Sequence, residues 1–256
     1  MSTVEKALQV LDLFSENRPN LRASEMARLL GWDKSTVQRY VAGLTSRGIL
    51  EQDARDKSYY LGATLTRLSM LRERTHPVAE QIHSVLLDLV EETGETAHAS
   101  QFISGELRNS AIVETRIRGT RVYIDPAEAL PFHASGSGIA FLSRSTPALV
   151  KDQLGLKLGR YTKETEVRKK SILQLITVAQ EKGYAINAGT FESDVVGLAA
   201  AVVGFDGYAV GAVAVATPSA RFEITNEKQI AAVVIESAEK LSRLFGYGGD
   251  EASQDS

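Results

Sequence analysis

Residues 33–44 read Asp33-Lys34-Ser35-Thr36-Val37-Gln38-Arg39-Tyr40-Val41-Ala42-Gly43-Leu44. Val37, Val41 and Leu44 recur at helical spacing and make one buried stripe, with Asp33 at the N-cap position and an end expected near Gly48. The outward residues Lys34, Ser35, Thr36, Gln38 and Arg39 leave a first turn that is polar, rich in donors and short in reach. A helix that enters a DNA major groove N-terminus first needs such a turn. Ser35 and Thr36 suit phosphate oxygens, Gln38 an adenine edge, and Arg39 a guanine edge or a phosphate. A plain solvated helix face is the alternative reading of the same residues.

The flanking sequence favours the first reading. Upstream, Ser24 stands where an N-cap is expected, ahead of Glu25-Met26-Ala27-Arg28-Leu29-Leu30, and Gly31 supplies a left-handed stop. Two short helices joined by a three-residue turn containing Gly form a helix-turn-helix. Val4, Leu8, Leu11 and Phe14 predict a further helix over 4–15, broken by Asn17-Arg18-Pro19-Asn20. Downstream, Ile49–Gln52 and Ser58–Leu61 read as strands around a polar turn, Asp53-Ala54-Arg55-Asp56-Lys57. A hairpin in that place is a wing, and Arg55 and Lys57 on it suit backbone phosphates. Leu61, Leu65, Leu68 and Leu71 then continue a helical stripe to about Arg74, which Pro77 interrupts.

Residues 4–61 resemble the N-terminal domain of the IclR family of bacterial transcription regulators. The resemblance is carried by Val4-Glu5-Lys6-Ala7-Leu8-Gln9-Val10-Leu11, by Leu30-Gly31-Trp32-Asp33-Lys34-Ser35-Thr36-Val37-Gln38-Arg39, and by Gly48-Ile49-Leu50-Glu51 with Tyr60-Leu61-Gly62. The family usually has Pro at the place of Asp33, which here puts a negative charge near the phosphates. The resemblance also implies that the segment after the wing joins the two halves and helps to pair subunits. A twofold pair suits the chemistry, because it reads two half-sites spaced by whole turns of about 34 Å.

Beyond Pro77 the pattern changes to helices mixed with strands. A helix is predicted over Val78–Glu92, strands over Thr96–Ile103, Leu107–Glu114 and Arg121–Ile124, and helices over Ser137–Leu142, Pro147–Leu154 and Val167–Lys182. Strands follow at Tyr184–Asn187, Leu198–Val203 and Tyr208–Ala216, then a closing helix capped by Thr225 and running to about Phe245. This half is similar to the same family in Leu130-Pro131-Phe132-His133-Ala134-Ser135-Gly136-Ser137-Gly138-Ile139-Ala140, Gly183-Tyr184-Ala185-Ile186-Asn187, Gly204-Phe205-Asp206-Gly207 and Pro218-Ser219-Ala220-Arg221-Phe222. The resemblance implies a GAF-like effector-binding domain for a small metabolite, often an organic acid or aromatic compound. The expected class is thus α+β, with a winged helix-turn-helix over 1–61, a linker helix over 62–76, an effector-binding domain over 77–246 and a disordered tail over 247–256.

Physical chemistry points to an anion site in the same place. Ser135, Gly136, Ser137 and Gly138 open a helix, where small residues let a ligand approach free N–H groups and the helix dipole favours a carboxylate. By the resemblance, residues at Gly136 and Ser137 hold the acidic group of the effector, and Asn187, Gly197, Ala214 and Ala216 line the same pocket. The family commonly has Asp at the first of these four, Cys at the second, and serines at the last two. That wall is therefore expected to be smaller, more apolar and less charged, suiting a ligand bulkier or less polar than glyoxylate.

The 256 residues include 43 % hydrophobic and 24 % charged residues and no cysteine. Thiolate catalysis, disulfides and cysteine-ligated metals are excluded. No apolar run reaches the length of a membrane span and no secretory signal is read at the N-terminus, so a cytoplasmic protein without a membrane partner is expected. The net charge of −3 is uneven, being about +3 through His76 and −6 thereafter. A basic head on an acidic body suits double-stranded operator DNA as partner of the head, a small-molecule effector in the body, and a homodimer or dimer of dimers.

Other classes fit less well. His133 near Ser135 and Ser137 raises a small-molecule hydrolase with an accessory DNA-binding head, but no Gly-x-Ser-x-Gly elbow is present. His83, His98 and His133 with Glu92 or Glu95 match no close metal-ligand spacing, and no Walker or dinucleotide fingerprint occurs. No catalytic residue, metal or cofactor is expected. A purely architectural DNA-binding protein would leave the acidic body without a role. Repression is the sign that the resemblance implies.

Overall fold

A computed structural model describes residues 2–15, 17–223 and 226–248. Internal contacts divide the chain into two units, with the boundary between Pro77 and Val78.

The first unit opens with α1 (Thr3–Leu11), started by a reciprocal cap in which Ser2 Oγ accepts from the Glu5 N–H and the Glu5 carboxylate accepts from the Ser2 N–H. This helix stops at Leu11 rather than running on to 15, because Ser15 and Arg18 pair their backbones across a tight turn. Helix α2 (Ala23–Leu30) begins ahead of the expected cap. Its N-cap is Arg22, whose N–H donates to the Glu25 carboxylate at 2.8 Å, and Ser24 lies inside the first turn. Gly31 ends it with φ 65°, a left-handed conformation that glycine adopts without strain. Helix α3 (Lys34–Ser46) follows, with Asp33 at its N-cap accepting from the Thr36 N–H.

Val10, Met26, Val37, Val41, Leu44 and Leu50 close into one core, each worth roughly 1.5–3 kcal/mol when fully buried. Strands β1 (Leu50–Gln52) and β2 (Tyr59–Leu61) pair antiparallel with Leu50 opposite Leu61, forming the wing. Helix α4 (Ala63–Thr75) grows directly from it. The Glu51 carboxylate accepts from the Ala63 N–H at 2.9 Å, and the Thr64 hydroxyl donates to the Arg47 carbonyl at 2.8 Å. No residue of α4 is buried.

The second unit is a six-stranded antiparallel sheet with helices on both faces. After α5 (Val78–Thr93) come β3 (Thr96–Ile103), β4 (Glu106–Val113) and the short β5 (Ala129–Leu130). Helices α6 (Gly136–Ser143), α7 (Pro147–Gly155) and α8 (Lys169–Lys182) lead to β6 (Ala185–Ala188), β7 (Val195–Val203), β8 (Ala209–Pro218) and α9 (Glu227–Leu244). The strand order is β5-β4-β3-β8-β7-β6. Alternation sorts the side chains. Leu198, Ala200, Val202, Val213 and Val215 pack with Leu86 of α5 and Val234 of α9, whereas Ala185, Ala199 and Ala214 pack with Phe141 of α6 and Ile172 of α8.

The segment expected as a strand at Arg121–Ile124 is irregular. Arg121 pairs with Glu114 at 2.8 Å, and the Thr96 hydroxyl donates to the Val122 carbonyl at 3.1 Å, so side chains hold this stretch where no ladder forms. The expected cap Thr225 and the tail residues 249–256 lie outside the described residues; Gly246 to Gly248 follow α9 as turn and coil. Among the described residues no helix is long and apolar enough to cross a membrane.

Candidate functional site

In the first unit, Lys34, Ser35, Gln38 and Arg39 are exposed on α3, and Thr36 is half-buried beside them. The Arg39 guanidinium lies over the ring of Tyr40 at 5.2 Å, which steadies a long side chain at the surface. Ser35 and Thr36 are less free than the sequence suggests. Ser35 Oγ donates to Asp33 Oδ1 at 2.5 Å and Thr36 Oγ1 donates to Asp33 Oδ2 at 2.6 Å. These bonds, with that from the Thr36 N–H, hold the Asp33 carboxyl far below its ordinary range and keep it charged. On the wing, Arg55 and Lys57 are exposed, and Lys57 has φ 61°, a left-handed conformation strained for a side chain with a Cβ.

In the second unit, a cavity of about 70 Å³ lies beside the start of α6. Ser135, Gly136, Ser137, Asn187, Gly197, Ala214 and Ala216, singled out from the sequence, all line it. Ser135 is the N-cap, its Oγ accepting from the Gly138 N–H at 3.0 Å. The N–H groups of Gly136 and Ser137 have no acceptor among the described residues. Gly136 faces the strand closely, since a Cβ there would stand 3.0 Å from the Gly197 carbonyl oxygen. The reverse is open: a Cβ on Gly197 would meet only the Gly136 nitrogen, at 4.0 Å. Asn187 is spent on the scaffold. Its Nδ2 donates to the Ala134 carbonyl at 2.8 Å, and Thr190 bonds both to that carbonyl and to Asn187 Oδ1.

The sequence reading missed the other wall. His98, on β3, lies with its Nε2 3.1 Å from Ser137 Oγ, and its buried Nδ1 has no partner among the described residues. Burial pushes its pKa down to about 4, so the ring is neutral near pH 7. The alternation Ala97-His98-Ala99-Ser100 was the signal that could have placed it on the α6 face. Asn109, Val122, Ile124, Asp125, Glu128 and Glu192 also line the cavity, and no spacing in the sequence announced them. Gly197, Ala214 and Ala216 make the wall from β7 and β8 small and apolar, and the opposite rim is acidic.

The arrangement offers no nucleophile–base pair at His133, whose Nε2 donates to the Gly159 carbonyl at 2.8 Å, while Ser135 Oγ donates to the Pro131 carbonyl. His98 and Ser137 do meet, but no carboxylate orients the other ring nitrogen. Among the described residues no group of three or more His, Asp or Glu side chains comes together to hold a metal. Glu95, one of the residues weighed for that role, is bound by Arg221 through two contacts of 2.6 Å.

Comparison with known proteins adds to this geometry. Residues 3–54 match the model of the IclR helix-turn-helix domain, and residues 72–243 that of the bacterial transcriptional regulator IclR C-terminal domain. A crystal structure of an IclR transcriptional regulator from Silicibacter sp. TM1040 is 32 % identical, covering 98 % of this chain and 99 % of that one, with a TM-score of 0.73. The HTH-type transcriptional regulator BhcR of Paracoccus denitrificans is 27 % identical over 93 % of this chain and 85 % of its own length. An IclR homologue from Microbacterium hydrocarbonoxydans, solved in complex with 4-hydroxybenzoate, shares the fold at 21 % identity and a TM-score of 0.58, with 94 % and 98 % of the two chains covered. With a family model over most of its length, a winged helix-turn-helix in one unit and a mixed α/β domain in the other, this chain belongs to the IclR family of transcription regulators.

Proposed function

We propose that this protein is a ligand-responsive regulator in which α3 reads operator half-sites, the wing grips phosphates, and the cavity beside α6 binds a small organic or aromatic acid. The observation that carries the effector reading is the pair of unused N–H groups, on Gly136 and Ser137, at the positive end of a helix that lines a cavity. The cavity has room for roughly five waters, which suits a short chain or a single ring. The 4-hydroxybenzoate complex of the Microbacterium homologue supports an acid of that size. Gln38 and Arg39 are assigned to base edges, and Lys34, Ser35, Thr36, Arg55 and Lys57 to the sugar–phosphate backbone.

Helix α4 is assigned as the linker and as part of a homodimer contact. Leu68 and Leu71 stand about half exposed on it, and a second copy would cover that stripe. Effector binding then favours one arrangement of the two DNA-binding heads over another, a coupling free energy between sites. Repression is the assigned sign. Selection of bound fragments from the host's genomic DNA, with footprinting at moderate salt, tests the DNA half of this reading. A pseudo-palindromic site protected on two half-sites is expected; diffuse binding without a preferred sequence would overturn it.

A further inference from the structure

The charge around the cavity is one-sided. Its buried base offers donors, namely the N–H groups of Gly136 and Ser137 with the Ser137 hydroxyl. His98 stands beside them, 7 % exposed, with a polar ring atom that no protein group satisfies. Because that ring is neutral, the positive potential at the base comes, among the described residues, from the helix terminus, equivalent to about half a charge. The exposed rim is the opposite. Asp125, Glu128 and Glu192 all line the cavity, and among the described residues no Lys or Arg does.

Two further observations bear on this negative rim. Glu192 holds its proton more tightly than an ordinary carboxyl, through partial withdrawal from water and the charges of Glu128 and Asp194. Asn109 donates through Nδ2 to the Asp125 carbonyl at 3.3 Å, which leaves its buried Oδ1 facing no donor. The Asp125 carboxylate takes only the Ala127 N–H, at 2.8 Å, and no cation lines the rim among the described residues, so a buried acceptor beside these carboxylates calls for a hydrogen-bond donor carrying positive charge.

We infer that the ligand of this cavity is a small zwitterion, an acid that also carries a protonated amine, with its carboxylate at the start of α6 and its ammonium toward Asn109, Glu128 and Glu192. The inference rests on the cavity being the effector site and narrows the chemical class it accepts. A simple carboxylic or keto acid would bring a lone negative charge past carboxylates that nothing in the cavity neutralises. An amino acid or ω-amino acid satisfies both ends and leaves Asn109 Oδ1 with a donor.

Calorimetric titration of the full chain with matched pairs tests this: propanoate against alanine, pentanoate against 5-aminopentanoate, and 4-methylbenzoate against 4-(aminomethyl)benzoate. In at least one pair the amine-bearing member should bind tenfold or more tighter. In the doubly substituted Glu128→Gln, Glu192→Gln protein that advantage should fall below threefold while the plain acid gains. Both side chains are exposed, so the variant keeps its core. If the plain acids bind as tightly as their partners, and Gly197→Val abolishes that binding, the zwitterion inference is wrong and the effector site stands. Binding indifferent to Gly197→Val removes the site and the inference together, and no binding by any amine-bearing probe overturns the inference.

Discussion

Replacing Gly197 with Val separates ligand binding from folding more cleanly than any change on α6 itself. A Cβ at this position meets nothing nearer than the Gly136 nitrogen at 4.0 Å. The residue lies in β7, paired with Asn187 and Ala216, and glycine inside a strand costs roughly 0.5–1 kcal/mol relative to alanine. Valine is favoured there. The variant should therefore be more stable by about 0.5–1 kcal/mol, a rise in Tm of roughly 1–4 °C for a chain of this size. Its methyl groups would stand in front of the N–H groups of Gly136 and Ser137. Losing two charge-assisted hydrogen bonds of roughly 1.5 kcal/mol each should weaken an acidic ligand at least about a hundredfold. Scanning calorimetry gives the first quantity, titration with active metabolite fractions the second, and fluorescence anisotropy on operator DNA an unchanged third. A destabilised variant would mean that β7 has no room for a side chain at this position, and one that binds the effector as wild type does would move the effector away from the start of α6. Gly136→Val is the poorer test, because its Cβ would stand 3.0 Å from the Gly197 carbonyl and force the backbone to move.

Gln38→Ala and Arg39→Ala should each weaken specific operator binding by roughly 1–3 kcal/mol per lost base contact, read by gel shift; wild-type affinity in both would remove α3's assigned face. Lys57→Gly deletes a wing cation and relieves a left-handed backbone at φ 61°, so Tm should hold or rise while the salt slope of operator binding falls by about 1; an unchanged slope would take Lys57 off the phosphates. Asp33→Asn keeps a capping side chain and removes a negative charge from the turn assigned to DNA, so operator binding should tighten several-fold at low salt, and unchanged affinity would place that turn away from DNA. Because the Asp33 carboxyl is held below its ordinary 3.8 in the folded protein, its stabilisation is present above that pH and lost as pH falls below it. Melting curves of the Asn variant should lack this acid-limb contribution. Arg221→Met leaves Glu95 nearly buried without its cation and should cost about 3 kcal/mol in a urea titration; a loss under about 1 would mean that water reaches Glu95.

The helices and strands were legible where periodicity was strong. Val37, Val41 and Leu44 set the face of α3, and the alternation in β3 and the run of small residues in β7 and β8 set the sheet. Boundaries failed where a local hydrogen bond outweighed propensity, as at Arg22, whose N–H turns to Glu25, and at Ser15, whose backbone pairs with Arg18. The donor end of the cavity could be read because Ser135-Gly136-Ser137-Gly138 is contiguous and its chemistry is that of a helix start. The acidic end could not. Asn109, Glu128 and Glu192 come from a strand and two loops brought together by the fold, and the pairing of β3 with β4 and β8 places His98 opposite Ser137. Nor could the sequence reveal that Asn187 is consumed by Ala134 and Thr190, since only the folded distance shows which polar group an amide satisfies.

Occupancy of the cavity beside α6 should change the affinity of the winged domain for DNA. The direct measurement is anisotropy of a labelled operator fragment bound by wild type and by Gly197→Val, titrated side by side with host metabolite extract. Wild type should shift its operator affinity by five- to 150-fold, the usual span of allosteric coupling, while the variant binds the same fragment equally well and does not respond. An equal response in both proteins, or no response in wild type to any fraction of the extract, would mean that the cavity and the winged domain are not coupled.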